Sequence, residues 1–146
     1  MIRFLSILLI AIAISAPATV YAGARDDQRL ITGARGKIMP VVTAALEAGA
    51  DIEARDEIGR TALIWSAFQG HDPMLAYLID QGADVNARDN RERTPLIWAA
   101  IAGRGVVIET LLENGADATI ADADGKTAAA HALAEGHPGI GRRLGE

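Results

Sequence analysis

A unit of 33 residues is written twice in succession between Arg60 and Gly125, and no other feature limits the fold as sharply. Arg60-Thr61-Ala62-Leu63-Ile64-Trp65-Ser66-Ala67 returns as Arg93-Thr94-Pro95-Leu96-Ile97-Trp98-Ala99-Ala100. Gly70 maps to Gly103, Leu78 to Leu111, Gly82-Ala83-Asp84 to Gly115-Ala116-Asp117, and Asp89 to Asp122. The same offset carried backwards reaches Gly49-Ala50-Asp51 and Asp56, and carried forwards reaches Lys126-Thr127 and Gly136-His137. A fixed period of this length means stacked supersecondary units, because one such unit cannot bury its apolar face alone.

Within each unit the local signals agree. Thr61 or Thr94 can cap a short helix through its hydroxyl, with Pro95 at a favoured first position. Gly70 or Gly103 can stop that helix in the left-handed conformation. A second helix follows, with Asp72 as cap and Pro73 as opener in one unit. Its apolar residues, Leu75, Leu78 and Ile79 or Ile108, Leu111 and Leu112, recur at helical spacing and form one buried stripe. Gly82 and Gly115 end it. Ala83 to Thr94 and Ala116 to Thr127 are polar, and Asp89-Asn90 and Asp122-Ala123-Asp124-Gly125 have turn chemistry.

The period, with Thr-Pro-Leu opening a first helix and Gly-Ala-Asp closing a second, resembles the ankyrin repeat. The resemblance covers nearly everything after the N-terminal segment. It implies an all-α fold: an ankyrin-type repeat solenoid of helix-turn-helix units with projecting hairpin loops. Full repeats are expected at 60–92 and 93–125, a degenerate N-terminal capping repeat at 23–59, and a degenerate C-terminal capping repeat at 126–146. Two departures stand out. The family's usual His after Thr-Pro-Leu is Ile97 here and Ile64 in the preceding unit, so apolar packing is expected to replace its hydrogen bonds. Glu92 stands where Gly59 and Gly125 occupy the equivalent turn position, and a left-handed conformation there costs roughly 1 kcal/mol relative to Gly.

The flanks read as caps. Asp26 to Ala34 can form a short polar helix, Gly36-Lys37 can turn the chain, and Pro40 can start a second helix through Glu47. A polar outer face suits the end of a stack, which meets water. At the other end Leu96-Ile97-Trp98 has become Ala129-Ala130-His131. Gly139, Gly141 and Gly145 each weaken the last helix by about 1 kcal/mol relative to Ala.

Residues 1–22 read as a signal peptide. Met1-Ile2-Arg3 is a short positive start, Phe4 to Ile14 is apolar, and Val20-Tyr21-Ala22 offers small residues for cleavage after Ala22. Export to the periplasm or the extracellular space is therefore expected, and the Ala-rich mature sequence suggests a bacterial source. The rival reading is an uncleaved anchor, since no charge lies between Arg3 and Arg25. The strongly apolar part, however, is only about half of the roughly 20 residues a spanning helix needs.

Charge and motif content narrow the function. The net charge of −5 and the lack of a basic stripe argue against a nucleic-acid partner. Cysteine is absent, which removes disulfides, thiolate nucleophiles and thiolate metal sites. There is no phosphate loop, nucleophile elbow or zinc-binding His pair at helical spacing. His71 and His137 share one place in the unit, after the glycine that ends the short helix, and no third metal ligand is apparent. Asp122-Ala123-Asp124-Gly125 lacks the later bidentate Glu of a calcium loop. No catalytic residue, cofactor or metal is expected.

Repeat stacks present an extended surface whose side chains are free of core duties. In the family, partners dock on loop tips and on the concave face of the first helices. Carried over by position, that surface is Glu57, Ile58, Arg60, Phe68 and Gln69 from one unit and Asn90, Arg91, Arg93, Ile101 and Ala102 from the next, with Asp124 and Lys126 from the last. Phe68 and Ile101 are expected to face out, and Arg60, Arg88, Arg91 and Arg93 to make the loop face basic. Trp65 and Trp98 are read as packing residues that touch each other or the facing helix. The expectation is a monomeric, exported, non-catalytic module that binds, protects, inhibits or scaffolds a periplasmic protein. A membrane-anchored adaptor and a small-ligand or metal binder are the other readings.

Overall fold

The computed structural model describes residues 18–145, with side chains described from Gly23 onward. The apolar run Phe4 to Ile14 lies outside the described residues. Among those described, eight helices follow one another with no strand: α1 (Ala18–Arg35), α2 (Met39–Glu47), α3 (Ala62–Gln69), α4 (Asp72–Asp80), α5 (Pro95–Ile101), α6 (Gly105–Glu113), α7 (Ala128–Ala134) and α8 (Pro138–Leu144). Odd-numbered helices pack on one another in an inner row, and each even-numbered helix packs behind the odd-numbered one before it.

The caps explain the phase. Thr61, Thr94 and Thr127 accept the backbone N–H of Ile64, Ile97 and Ala130 at 3.3, 3.3 and 3.4 Å, which starts each inner helix at the same place in its unit. Gly70 and Gly103 take φ values of 70° and 67° and turn the chain into the outer helix. The cap of α4 is not Asp72: His71 Nδ1 accepts the Met74 N–H at 3.2 Å. Asp72 sits one residue further on, inside the first turn, and its carboxylate takes the Thr110 hydroxyl at 2.7 Å from the next outer helix.

Burial follows the helical stripes. Leu63, Ile64, Leu96 and Ile97 of the inner helices are fully buried, as are Met74, Leu75, Leu78, Val107, Ile108 and Leu111 of the outer helices. Each such aliphatic side chain stabilises the fold by about 1.5–3 kcal/mol relative to exposure. Ile64 and Ile97, in place of the family's His, are thus fully buried apolar side chains.

The N-terminal cap differs from expectation. Helix α1 runs from Ala18, well before Asp26, and it is not polar throughout. Leu30, Ile31 and Ala34 are buried against the stack, while Gln28, Arg29 and Thr32 stay exposed. Cleavage after Ala22 would fall within the first turns of this helix. The turn after it uses Lys37, at φ 59°, rather than Gly36. Glu92 keeps the left-handed turn of Gly59 and Gly125, at φ 61°.

Candidate protein-binding face

Helices α3, α5 and α7 are each preceded by a tight hairpin held by its own first aspartate. Asp56, Asp89 and Asp122 donate their N–H to the carbonyls of Arg60, Arg93 and Lys126, each at 3.0 Å. Their Oδ1 atoms accept the N–H of residues two and four further on, from Ile58 and Arg60, Arg91 and Arg93, Asp124 and Lys126. The other oxygen reaches inwards. Asp56 Oδ2 accepts Arg60 Nε at 3.0 Å and Trp65 Nε1 at 3.1 Å, and Asp89 Oδ2 accepts Arg93 Nε at 3.1 Å and Trp98 Nε1 at 2.9 Å. In the third unit Asp122 Oδ2 meets His131 Nε2 at 2.7 Å, while Lys126 is exposed. One carboxylate thus ties hairpin to helix in every unit.

These groups also join one unit to the next. The Arg60 guanidinium lies 3.7 Å from the Trp65 ring centre and 5.8 Å from that of Trp98, and Arg93 lies 4.0 Å from Trp98. Phe68 stands between the tryptophans, edge-on to both, at 6.3 and 5.3 Å. Cation and ring alternate along the concave side, each contact contributing about 0.5–2 kcal/mol. The tryptophans are packing residues, as their spacing suggests, but Phe68 and Arg60 separate them.

Two carboxyl groups in this network titrate low. Burial pushes Asp56 up, but the backbone N–H and guanidinium of Arg60, with the Ile58 N–H, hold it below the usual carboxylate value. Burial likewise raises Asp122, and the His131 ring with the Lys126 and Asp124 amides outweighs it.

The hairpins stack edge to edge. Asn90 N–H donates to the Ile58 carbonyl and Ala123 N–H to that of Arg91, both at 3.0 Å, with Asn90 Nδ2 reaching the Glu57 carbonyl at 3.2 Å. The Arg55 guanidinium bonds the Arg88 carbonyl. Gly59 permits this approach, since a Cβ there would meet Asn90 N at 2.7 Å in a backbone at φ 82°. At the far end of each unit, the N–H groups of Asp51, Asp84 and Asp117 are taken by Asp27 of the same capping unit and by Glu53 and Asn86 of the unit before.

Against this frame the expected interface residues divide. Glu57, Ile58, Asn90, Arg91, Asp124 and Lys126 are exposed at the hairpin tips. Arg60 and Arg93 are not free tip charges: they are half-buried, paired with Asp56 and Asp89. Phe68 does not face out, being wedged between two indoles, and Ile101 and Ala102 are partly buried at the end of α5. Gln69 is partly buried and donates to the Arg35 carbonyl at 3.0 Å. The loop face is also not basic. Arg60, Arg88, Arg91 and Arg93 each meet a carboxylate, of Asp56, Glu92, Asp124 and Asp89 respectively. The pairing was not visible in the sequence because the Arg91–Asp124 pair spans units and the others depend on the fold of each hairpin.

His71 and His137 are separated by Arg104, which holds their place in the intervening unit and donates Nε–H to the Phe68 carbonyl at 3.1 Å. Among the described residues no group of three or more His, Asp or Glu side chains could hold a metal ion, and no helix is long and apolar enough to cross a membrane.

A two-row stack of helix pairs with projecting, mutually bonded hairpins defines a repeat solenoid. The family model for ankyrin repeats (3 copies) matches residues 30–122, and the chain belongs to that family, whose repeats serve as protein–protein interaction modules. A comparison with curated proteins returns no significant match.

Proposed function

We propose that the protein is an exported, monomeric and non-catalytic module that captures another protein on its hairpin tips and the adjoining concave side. The observation that carries this reading is a division of labour. The aspartates and inner arginines fix the hairpin backbones, while the side chains of Glu57, Ile58 and Lys126 make no hydrogen bond or ion pair in that frame among the described residues; Ile58, an apolar side chain, is 44 % exposed. Rigid presentation lowers the entropy lost on binding, and apolar tips within a polar rim suit a protein partner. The acidic chain offers nucleic acid no electrostatic attraction. Residues 1–22 direct it to the periplasm, where the bound partner would be protected, inhibited or scaffolded.

A tag on the C-terminus, cross-linking in intact cells and identification of what is captured from the exported fraction test this. Ile58→Asp with Lys126→Glu should weaken capture while leaving the melting temperature unchanged. Equal capture by that folded variant removes the tips from the interface. A membrane-anchored adaptor is the second reading, favoured by the uncharged stretch from Phe4 to Ala24. Sequencing the mature N-terminus separates the two, since a start at Gly23 removes the anchor.

A further inference from the structure

The hairpin ladder has an open end. Asn90 and Ala123 each donate a backbone N–H to the hairpin before them. Glu57 holds the same register position, 33 residues before Asn90, and its N–H has no such acceptor among the described residues. The reason lies in α1. Residues 22–27, the register equivalents of 55–60, belong to the extended α1 helix instead of forming a hairpin. A groove of about 730 Å³ opens between that helix and the first hairpin, bounded by Ile31, Arg35, Arg55, Glu57, Ile58 and Arg60 among others.

The groove is also where unneutralised positive charge collects. Arg60 is held by Asp56, but neither Arg35 nor Arg55 has a carboxylate within 4.0 Å among the described residues. Arg35 borders only the Trp65 ring, at 5.5 Å, and Arg55 bonds backbone carbonyls. Glu57 is the one unpaired acid on its rim.

We propose that this groove takes an extended acidic segment of the partner polypeptide, which adds to the open edge of the first hairpin by accepting the Glu57 N–H and sets a carboxylate against Arg35 and Arg55. A backbone donor in ladder register selects an extended chain over a helix. Two guanidiniums with no carboxylate partner select an acid. Residues 1–17 of this chain contain no Asp or Glu and do not meet that requirement. The inference rests on the protein-binding reading and names the contact by which it operates.

The test pans a displayed library of random linear peptides against the purified protein. Recovered peptides should be rich in Asp and Glu and should bind Arg35→Glu at least tenfold more weakly than wild type. Arg55→Gln, a milder change, should weaken them in the same direction, with the melting temperature of each variant confirming the fold. By amide hydrogen exchange, Glu57 should exchange faster than Asn90 and Ala123 in the free protein and slow when peptide is bound. Peptides without acidic enrichment, binding indifferent to both variants, or a Glu57 amide already slow in the free protein would each overturn the proposal. So would concentration-dependent self-association that slows the same amide, since a second copy would then be the occupant. Cellular capture that survives Arg35→Glu with Arg55→Gln but is weakened by the tip variant rejects the groove and keeps the binding reading. Capture of nothing by the wild type rejects both.

Discussion

Asp89 Oδ2 accepts the Trp98 indole N–H at 2.9 Å, across nine residues of chain and from a carboxylate with no exposed side-chain surface. Four donors converge on this one group: the indole, the Arg93 guanidinium and the N–H groups of Arg91 and Arg93. The hairpin's shape, the arginine's position over the ring and the ring's own orientation are therefore one decision, made by one aspartate. Asp56 has the same arrangement but leaves 18 % of its side chain exposed.

Replacing Asp89 by Ala should cost about 3–5 kcal/mol, because the Arg93 charge and three N–H donors lose their acceptor in a dry site. The same change at Asp56 should cost less, since water reaches it. Chemical denaturation of the two variants checks the order.

Phe68→Ala should destabilise by about 2–3 kcal/mol, as it opens a gap between two indoles and loses two edge-on ring contacts. A melt followed by circular dichroism measures it. Any loss of partner binding in this variant must be judged against that loss of fold.

Asp56 should make stability acid-sensitive in a defined direction. Its folded pKa lies below the unfolded value of about 3.9, so its contribution is complete above that pH and is lost as pH falls through the depressed folded value. The stability difference between wild type and Asp56→Asn should be constant from pH 7 to 5 and should narrow below about pH 4. Denaturation midpoints measured from pH 7 to 2.5 test the sign.

Left-handed positions without glycine offer a gain. Lys37→Gly should stabilise by about 1 kcal/mol, since its side chain makes no ion pair among the described residues. Glu92→Gly should gain less, because it also removes the exposed pair with Arg88, worth about 0–1 kcal/mol. Thermal melts of the two variants give the comparison.

The glycines of α8 should differ in sign. A Cβ at Gly139 meets nothing within 4 Å, so Gly139→Ala should stabilise by about 1 kcal/mol. At Gly141 it would come within 2.6 Å of Leu133 Cδ2, so Gly141→Ala should destabilise by about 1–3 kcal/mol. Paired melts decide it.

The repeat period and its capping threonines made the stack legible before any coordinates, because a helix start depends on a few adjacent residues. The cap at His71 was harder to see. A ring nitrogen competes poorly with the neighbouring aspartate in any propensity argument, and only the backbone path shows which of the two lies outside the helix. The same limit explains the reading of Gly141 as a mere weakness, when its missing side chain is what lets Leu133 approach. At the interface, the tips were found by their place in the repeat. The inner arginines were misjudged because an Asp, an Arg and a Trp at fixed offsets read as three separate surface residues until a hairpin folds them together. The open groove left no direct trace at all. It arises from a helix that continues where a hairpin was due, and Asp26-Asp27-Gln28 carries no signal that excludes either.

The column of alternating rings and guanidiniums also gives the protein an internal optical probe with a narrow field of view. Both tryptophans, and the phenylalanine between them, report on the junction of the same two central units. Their emission will follow the parting of α3 from α5, Trp65 will also sense the departure of α1 through Arg35, and neither will report the fraying of α8. Where fluorescence and circular dichroism transitions fall at different denaturant concentrations, the gap between them measures how independently the C-terminal end of the solenoid comes undone.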